Sequence, residues 1–191
     1  MSAVDETIIR LFFEQHGFLV RKLDFQAGSK RKRAEDAAFV LLVRNPAGEA
    51  LPGKPGFLVF ASELRYLREA EVIVKPWPEA RFTSGIMQGG TRLFRFLEKT
   101  VLPRVRTPGN KLSNIRLLVV PSLPTTEPFR SRTETLFRDK GIDGLVSFRS
   151  MLLEVINRLD ANSVAGGSET LETLRLLKKY NLAGSVQMEL F

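Results

Sequence analysis

The chain contains no cysteine. This absence excludes disulfide frameworks, thiolate nucleophiles and cysteine-ligated zinc sites. Histidine is almost as scarce, because His16 is the only one and would have to be the base of any Ser-His-Asp triad. Since a helix is predicted to end at Gly17, a helix-terminal role for His16 is favoured over a catalytic one. Any bound metal is therefore expected to be a hard cation on carboxylates, such as Mg²⁺.

Long apolar runs are also missing. No apolar stretch approaches the roughly 20 residues that a membrane-spanning helix needs. The first residues, MSAVDETIIRLFFEQ, lack the basic start and small-residue cleavage site of a signal peptide. We therefore expect a cytoplasmic protein without a membrane partner, and 43% hydrophobic residues in 191 are enough for a sizeable core.

Positive charge is what the sequence has in excess, with a net charge of +8. Such a charge favours a polyanionic partner, most simply DNA or RNA. One cluster is the run Lys30, Arg31, Lys32 and Arg33. A second set follows a predicted helix into a loop and comprises Arg92, Arg95, Lys99, Arg104, Arg106, Lys111 and Arg116. Solvated loops and an anionic membrane surface are the alternatives, but no amphipathic anchor helix accompanies the clusters.

Alternating helices and apolar strands predict an α/β or α+β sheet domain with helices on its faces. The predicted helices include one capped by Asp5, one with a capping box from Ser131 to Glu134 and a terminal Gly141, and one capped by Ser168. The predicted strands are FLVRKLDF, AAFVLLVRNP, EAEVIVKPW, NIRLLVVPS and the short LVSF, with FLVFA as a further candidate. We expect one domain over residues 1–160, a linker over 161–167, and a C-terminal helix and tail over 168–191.

The strand EAEVIVKPW carries an unusual lysine. With period-two alternation, Glu69, Glu71, Ile73 and Lys75 share one face of this strand. A lysine in an apolar strand is costly to bury unless it has a charge partner or reaches water at the strand end. Lys75 is therefore a candidate functional residue.

The order of elements resembles that of the restriction-endonuclease-like, or PD-(D/E)XK, nuclease superfamily. The resemblance covers about residues 5–120, and the segments EQHGFLVR, EDAAFVLLVRNP and EVIVKPW carry it. It implies an α/β restriction-endonuclease-like core, a mixed central sheet flanked by helices, and DNA cleavage with Mg²⁺. By this resemblance Asp36 is the first acid and metal ligand, Lys75 the lysine, and Glu14 an accessory acid.

The sequence departs from that family pattern at the second acid. The expected position, two residues before Lys75, is occupied by Ile73. The nearest acid on that face is Glu71, about 7 Å further back along the strand. Three possibilities are open: an active nuclease that holds Mg²⁺ with Asp36 and either Glu71 or Glu14, a degenerate nucleic-acid-binding or adaptor protein on the same fold, and an unrelated α/β domain.

Residues after this strand are candidates for phosphate binding. Thr83 or Ser84 is predicted to cap a long helix, and a helix N-terminus with free N–H groups attracts phosphate. Arg81 stands beside it, and Arg92 follows in the helix. Trp77 either contributes to binding or fills the edge of the sheet.

The C-terminal residues form a separate motif. Gln187, Met188, Glu189, Leu190 and Phe191 resemble the peptide by which proteins bind the bacterial sliding clamp. By this resemblance Leu190 and Phe191 enter an apolar pocket of the clamp, Met188 a neighbouring one, and Gln187 fixes the register by hydrogen bonds. The alternative is a tail that packs on the domain itself. Together the motifs predict a DNA-acting protein of replication, repair or recombination.

Overall fold

The computed structural model describes residues 3–23, 39–46, 53–75, 77, 115–160 and 168–183. Four α-helices and five strands lie in these ranges. The helices are α1 (Ala3–Gln15), α2 (Glu127–Asp139), α3 (Phe148–Arg158) and α4 (Glu169–Lys179), with a 3-10 helix at Ala61–Tyr66. The strands are β1 (Leu19–Leu23), β2 (Phe39–Arg44), β3 (Glu69–Val74), β4 (Arg116–Val120) and β5 (Gly144–Ser147).

The five strands form one mixed sheet in the order β1-β2-β3-β4-β5. Strands β1, β2 and β3 pair antiparallel, whereas β3, β4 and β5 pair parallel. The α/β class, with a mixed central sheet flanked by helices, is therefore confirmed.

The predicted strand FLVFA is reduced to a single bridge at the outer edge of β5. Val59 N–H donates to Leu145 O at 2.8 Å, and Leu145 N–H donates to Phe57 O at 2.7 Å. Pairing stops there because the 3-10 helix begins at Ala61. The segment still covers the β5 edge, which would otherwise expose unpaired backbone groups.

Apolar side chains alternate along β3 and so form two cores. Ala70, Val72 and Val74 face α1, α3 and α4, whose buried residues belong to the same cluster. Ile73 faces the other way, with Phe137 of α2. This two-sided burial is what the continuous apolar runs of the inner strands require.

Glycines end two helices as the sequence predicts. Gly17 and Gly141 have φ of 82° and 77°, a conformation that costs a residue without a side chain little. The N–H of Phe18 then donates to Phe13 O at 3.0 Å, and Ile142 N–H donates to Phe137 O at 3.0 Å. These 6→1 bonds satisfy carbonyls that a helix end leaves open.

Two predicted helix starts are wrong. Helix α1 already includes Ala3, so Asp5 lies in its first turn and is not the N-cap. Helix α2 begins at Glu127, with Thr126 as N-cap and Pro128 in the first turn. Pro128 fits there because the first-turn N–H groups have no helical partner. Ser131 and Glu134 therefore lie inside the helix and form no capping box.

Helix α4 packs against α1 and α3. The Ser168 hydroxyl accepts the Leu171 N–H at 3.4 Å, which confirms the predicted cap. Leu174 is buried with the α1 and α3 core. Lys178 Nζ donates to the carbonyls of Ile156, Asn157 and Leu159 at 2.7–2.8 Å. The predicted linker, 161–167, and the tail, 184–191, lie outside the described residues.

None of the helices in the described ranges is both long and apolar enough to cross a membrane.

Candidate functional site

Three strands end side by side along one edge of the sheet, which runs across the strand ends: β1 and β3 with their last residues and β2 with its first. Leu23, the last residue of β1, pairs with Val40. Phe39, the first residue of β2, pairs with Val74, the last residue of β3. Lys75 follows directly. We call this side of the sheet, with Leu23, Phe39, Val74, Lys75 and Trp77, the Lys75 edge.

Lys75 and Trp77 contact each other at this edge. The Lys75 ammonium lies 5.3 Å from the centre of the Trp77 ring, within the range of a cation–π interaction. The Trp77 indole N–H donates to Val119 O at 2.8 Å, and the ring packs against the α2 side of the core. Trp77 therefore closes this edge between β3 and β4, and it also holds a cation at the surface.

Glu71 is paired with an arginine from the next strand. Its side chain is 1% exposed, and its Oε2 accepts a hydrogen bond from Arg116 Nε at 3.1 Å. Glu71 pairs with Arg116 in the parallel register of β3 and β4. Asp143 completes the group, because its Oδ2 accepts the Arg116 backbone N–H at 2.8 Å. Glu71, Arg116 and Asp143 are called the Arg116 cluster below.

Burial has the largest effect on the pKa of Glu71. Desolvation raises the pKa of Glu71 above its ordinary value, while the hydrogen bond and charge of Arg116 lower it and the charge of Asp143 raises it. Glu71 Oε1 is buried without a hydrogen-bond partner among the described residues. A buried carboxylate of this kind depends on its one cation.

The structure separates Glu71 from Lys75. Four residues of extended strand set them about 13 Å apart. The Arg116 cluster lies at the opposite edge, where β4 and β5 begin. Glu71 therefore points to the predicted face of β3. However, it is paired with Arg116 near the start of the strand, too far from Lys75 for both side chains to contact one ligand.

Glu14 is separated from both residues. It lies in the last turn of α1, which covers the Val72 and Val74 face, whereas Glu71 points to the other face. Its carboxylate is exposed and lies 3.5 Å from the Arg10 guanidinium. The described residues thus bring neither Glu14 nor Glu71 to the Lys75 edge.

The remaining predicted site residues lie outside the described ranges. They are Asp36, Lys30, Arg31, Lys32, Arg33, Arg81, Ser84, Arg92, Gln187, Met188, Leu190 and Phe191.

The structure removes Arg116 from the predicted set of DNA-binding cations. The sequence groups it with the cations of a DNA-binding loop, but its guanidinium is held by Glu71 and its side chain is only 21% exposed. Its partner stands 45 positions away, so no local spacing reveals the pair. The one available signal is Glu71 itself, because a buried acid requires a cation from somewhere in the fold.

Acidic residues and His16 do not assemble into a metal-binding group of three in the part of the chain that the structure describes. Comparisons with protein-family models, with curated proteins and with solved structures find no match to this chain.

Proposed function

We propose that this protein binds DNA at the Lys75 edge of a restriction-endonuclease-like fold and is recruited by a sliding clamp through its C-terminal residues. The observation that carries the DNA proposal is topological: the two strongly basic segments of the chain both leave the sheet at the Lys75 edge.

Residues 24–38, which connect β1 to β2, contain the run Lys30–Arg33. Residues 78–114, which follow β3, contain seven basic residues and two acidic ones. Adjacent strands are about 4.8 Å apart, so the three strand ends span only about 10 Å. Two cationic segments anchored this close, beside Lys75, suit a polyanionic backbone that carries a charge every few ångströms.

The order of elements supports the nuclease-like fold. A helix, three antiparallel strands and a parallel fourth strand follow one another in α1, β1, β2, β3 and β4. These elements agree with the order that the resemblance to the PD-(D/E)XK superfamily implies, and the helix that this order has before the fourth strand lies outside the described residues. The finer fold is part of the proposal.

Binding is favoured over cleavage by the state of Glu71. A nuclease of this class needs two carboxylates on one Mg²⁺, and the described residues do not fit such a site, since Glu71 is paired with Arg116 at the opposite edge. We therefore propose the function without cleavage, that of a nucleic-acid-binding or adaptor protein. Asp36, the first metal ligand that cleavage would need, lies outside the described residues.

The sliding clamp is proposed from the tail sequence alone. Gln187, Met188, Leu190 and Phe191 supply an amide for register and three large apolar groups for a pocket. DNA binding and clamp recruitment suit a role in replication, repair or recombination.

The DNA proposal is tested by fluorescence anisotropy with labelled duplex and branched DNA over a range of salt. A variant with Lys30, Arg31, Lys32 and Arg33 changed to alanine should bind more weakly, with a salt slope reduced by up to about four phosphate contacts. The matched control changes four exposed cations elsewhere: Arg65, Arg68, Arg132 and Lys179. Equal losses in both variants, or no binding by the wild type, would contradict the proposal.

A nuclease assay with Mg²⁺ or Mn²⁺ separates the two functions. The binding proposal predicts no cleavage of single-stranded, duplex or branched DNA. Cleavage that disappears in Asp36→Ala would establish the enzyme instead, and its persistence in Glu71→Gln would show that Glu71 is not a metal ligand. For the tail, changing Leu190 and Phe191 to alanine should abolish binding to a purified bacterial sliding clamp while the unfolding midpoint stays unchanged.

A further inference from the structure

The outer face of α4 carries large apolar side chains. Leu176 is 55% exposed and Tyr180 is 67% exposed, and their i, i+4 spacing places them on one side of the helix. Leu182, just past the helix, is 75% exposed. We call these three residues the α4 patch. Single exposed apolar residues are ordinary, but neighbouring ones indicate a contact surface.

The α4 patch is held in place from both sides. Leu174, on the opposite face of α4, is buried in the core, and Lys178 is bonded to the end of α3. The helix then ends in a Schellman motif: Asn181 has φ of 54°, and Leu182 N–H donates to Leu177 O at 2.8 Å. This cap usually lets the residue after the turn pack on the helix. Here it presents Leu182 to solvent.

The proposed clamp-binding peptide begins five residues after Leu182 in the sequence. Only residues 183–186 separate Leu182 from Gln187. Five extended residue steps span at most about 18 Å. A folded partner that holds Gln187–Phe191 in a pocket is therefore forced to lie within reach of the end of α4.

We infer that the α4 patch is the second half of the docking surface for the protein that takes up the C-terminal peptide. This inference rests on the proposed function, because it adds a contact to the same partner. The patch faces the partner with apolar groups on a rigid support, so little conformational freedom is lost when it is covered. The short connection gives the second contact a high effective concentration once the peptide is bound.

The experiment measures affinity for a purified bacterial sliding clamp by calorimetry. The ligands are the full chain, a synthetic peptide of residues 183–191, and two full-chain variants. The patch variant carries Leu176→Gln, Tyr180→Gln and Leu182→Gln. The control variant carries Leu19→Gln and Phe60→Gln, which remove exposed apolar groups from other elements.

We expect the full chain to bind roughly tenfold more tightly than the peptide, as a second linked contact allows. The patch variant should fall to the affinity of the peptide, and the control variant should match the wild type. The variants should unfold at the same urea concentration as the wild type, since all the changed side chains are exposed.

Other results overturn the inference in distinguishable ways. If the patch variant binds like the wild type and the peptide also binds, the α4 patch does not contact the clamp, but the proposal of clamp recruitment is unaffected. Tighter binding by the patch variant shows that the patch covers the tail within one chain. Concentration-dependent dimerisation that the patch variant loses assigns the patch to a second copy. If the peptide itself does not bind, the clamp proposal fails and the patch inference fails with it.

Discussion

Arg116 is the residue whose removal tests the interpretation of the site most directly. In Arg116→Met the Glu71 carboxylate, 1% exposed in the native fold, keeps its burial and loses its cation. Removing one partner of a buried ion pair typically costs about 3–5 kcal/mol. For a chain of this size, with a urea dependence of about 2–3 kcal/mol per molar, the unfolding midpoint should fall by about 1–2 M.

A second ion pair of β3, formed with β2, provides a matched control. Arg44 Nε lies 3.0 Å from Glu69 Oε1, a distance close to the 3.1 Å of the Arg116 pair, but the Arg44 side chain is 59% exposed. Solvent screens such a pair, so Arg44→Met should cost less than about 1 kcal/mol. Burial is the main difference between the two pairs.

Two further variants separate the lost cation from the lost packing. Glu71→Gln in the wild type removes a charge and should be mild, because an amide oxygen still accepts from Arg116. The double variant Glu71→Met, Arg116→Met should be more stable than Arg116→Met alone, because no uncompensated charge stays buried. If Arg116→Met lowered the free energy of unfolding no more than Arg44→Met, Glu71 would not need Arg116 to stay buried. Its pairing with Arg116 would then no longer speak against metal binding.

The pH dependence follows from the raised pKa of Glu71. A carboxyl group whose folded pKa lies above its ordinary 4.5 holds its proton more tightly in the native state. Its stabilising contribution is present below pH 4.5 and is lost as pH rises through the folded pKa. The wild type should therefore lose stability relative to Glu71→Gln across that window. Arg116→Met raises the pKa further, so its destabilisation should shrink at acidic pH in urea unfolding measured at several pH values.

Three changes test the packing that supports the proposed surfaces. Gly144→Ala places a methyl group 2.8 Å from Val59 and 3.0 Å from Leu117. It should lower the free energy of unfolding, measured in urea, by about 1–3 kcal/mol. An unchanged free energy would mean that the β5 edge relaxes around the methyl group. Lys178→Met removes the donors to three carbonyls at the end of α3 and should lower the free energy of unfolding by about 1–3 kcal/mol. Amide hydrogen exchange in α4 should become faster, and an unchanged exchange rate would contradict this role. Asn181→Val should lower thermal stability by about 1–2 kcal/mol and Asn181→Gly should not, because φ is positive there; equal effects would argue against strain.

The sequence determined the local features of this protein. Gly17 and Gly141 end their helices, and Ser168 caps α4, because a left-handed turn and a hydroxyl acceptor act within a few residues of chain. Period-two alternation assigned Glu71 and Ile73 to one face of β3 correctly, since side chains alternate along any strand. The basic clusters and the C-terminal motif were readable for the same reason, as properties of contiguous residues.

Only the tertiary structure decided what those features contact. Glu71 pairs with Arg116 because β3 and β4 run parallel in one register, and no spacing within the sequence encodes that register. FLVFA has strand-like residues, yet only two backbone bonds to Leu145 hold it at the sheet edge. The folding of β1, β2 and β3 into one antiparallel sheet also places the last residues of β1 and β3, after which the two basic segments follow in the sequence, at the same edge. Long-range pairing thus gave Glu71 its partner Arg116 and placed Lys75 beside the ends of β1 and β2.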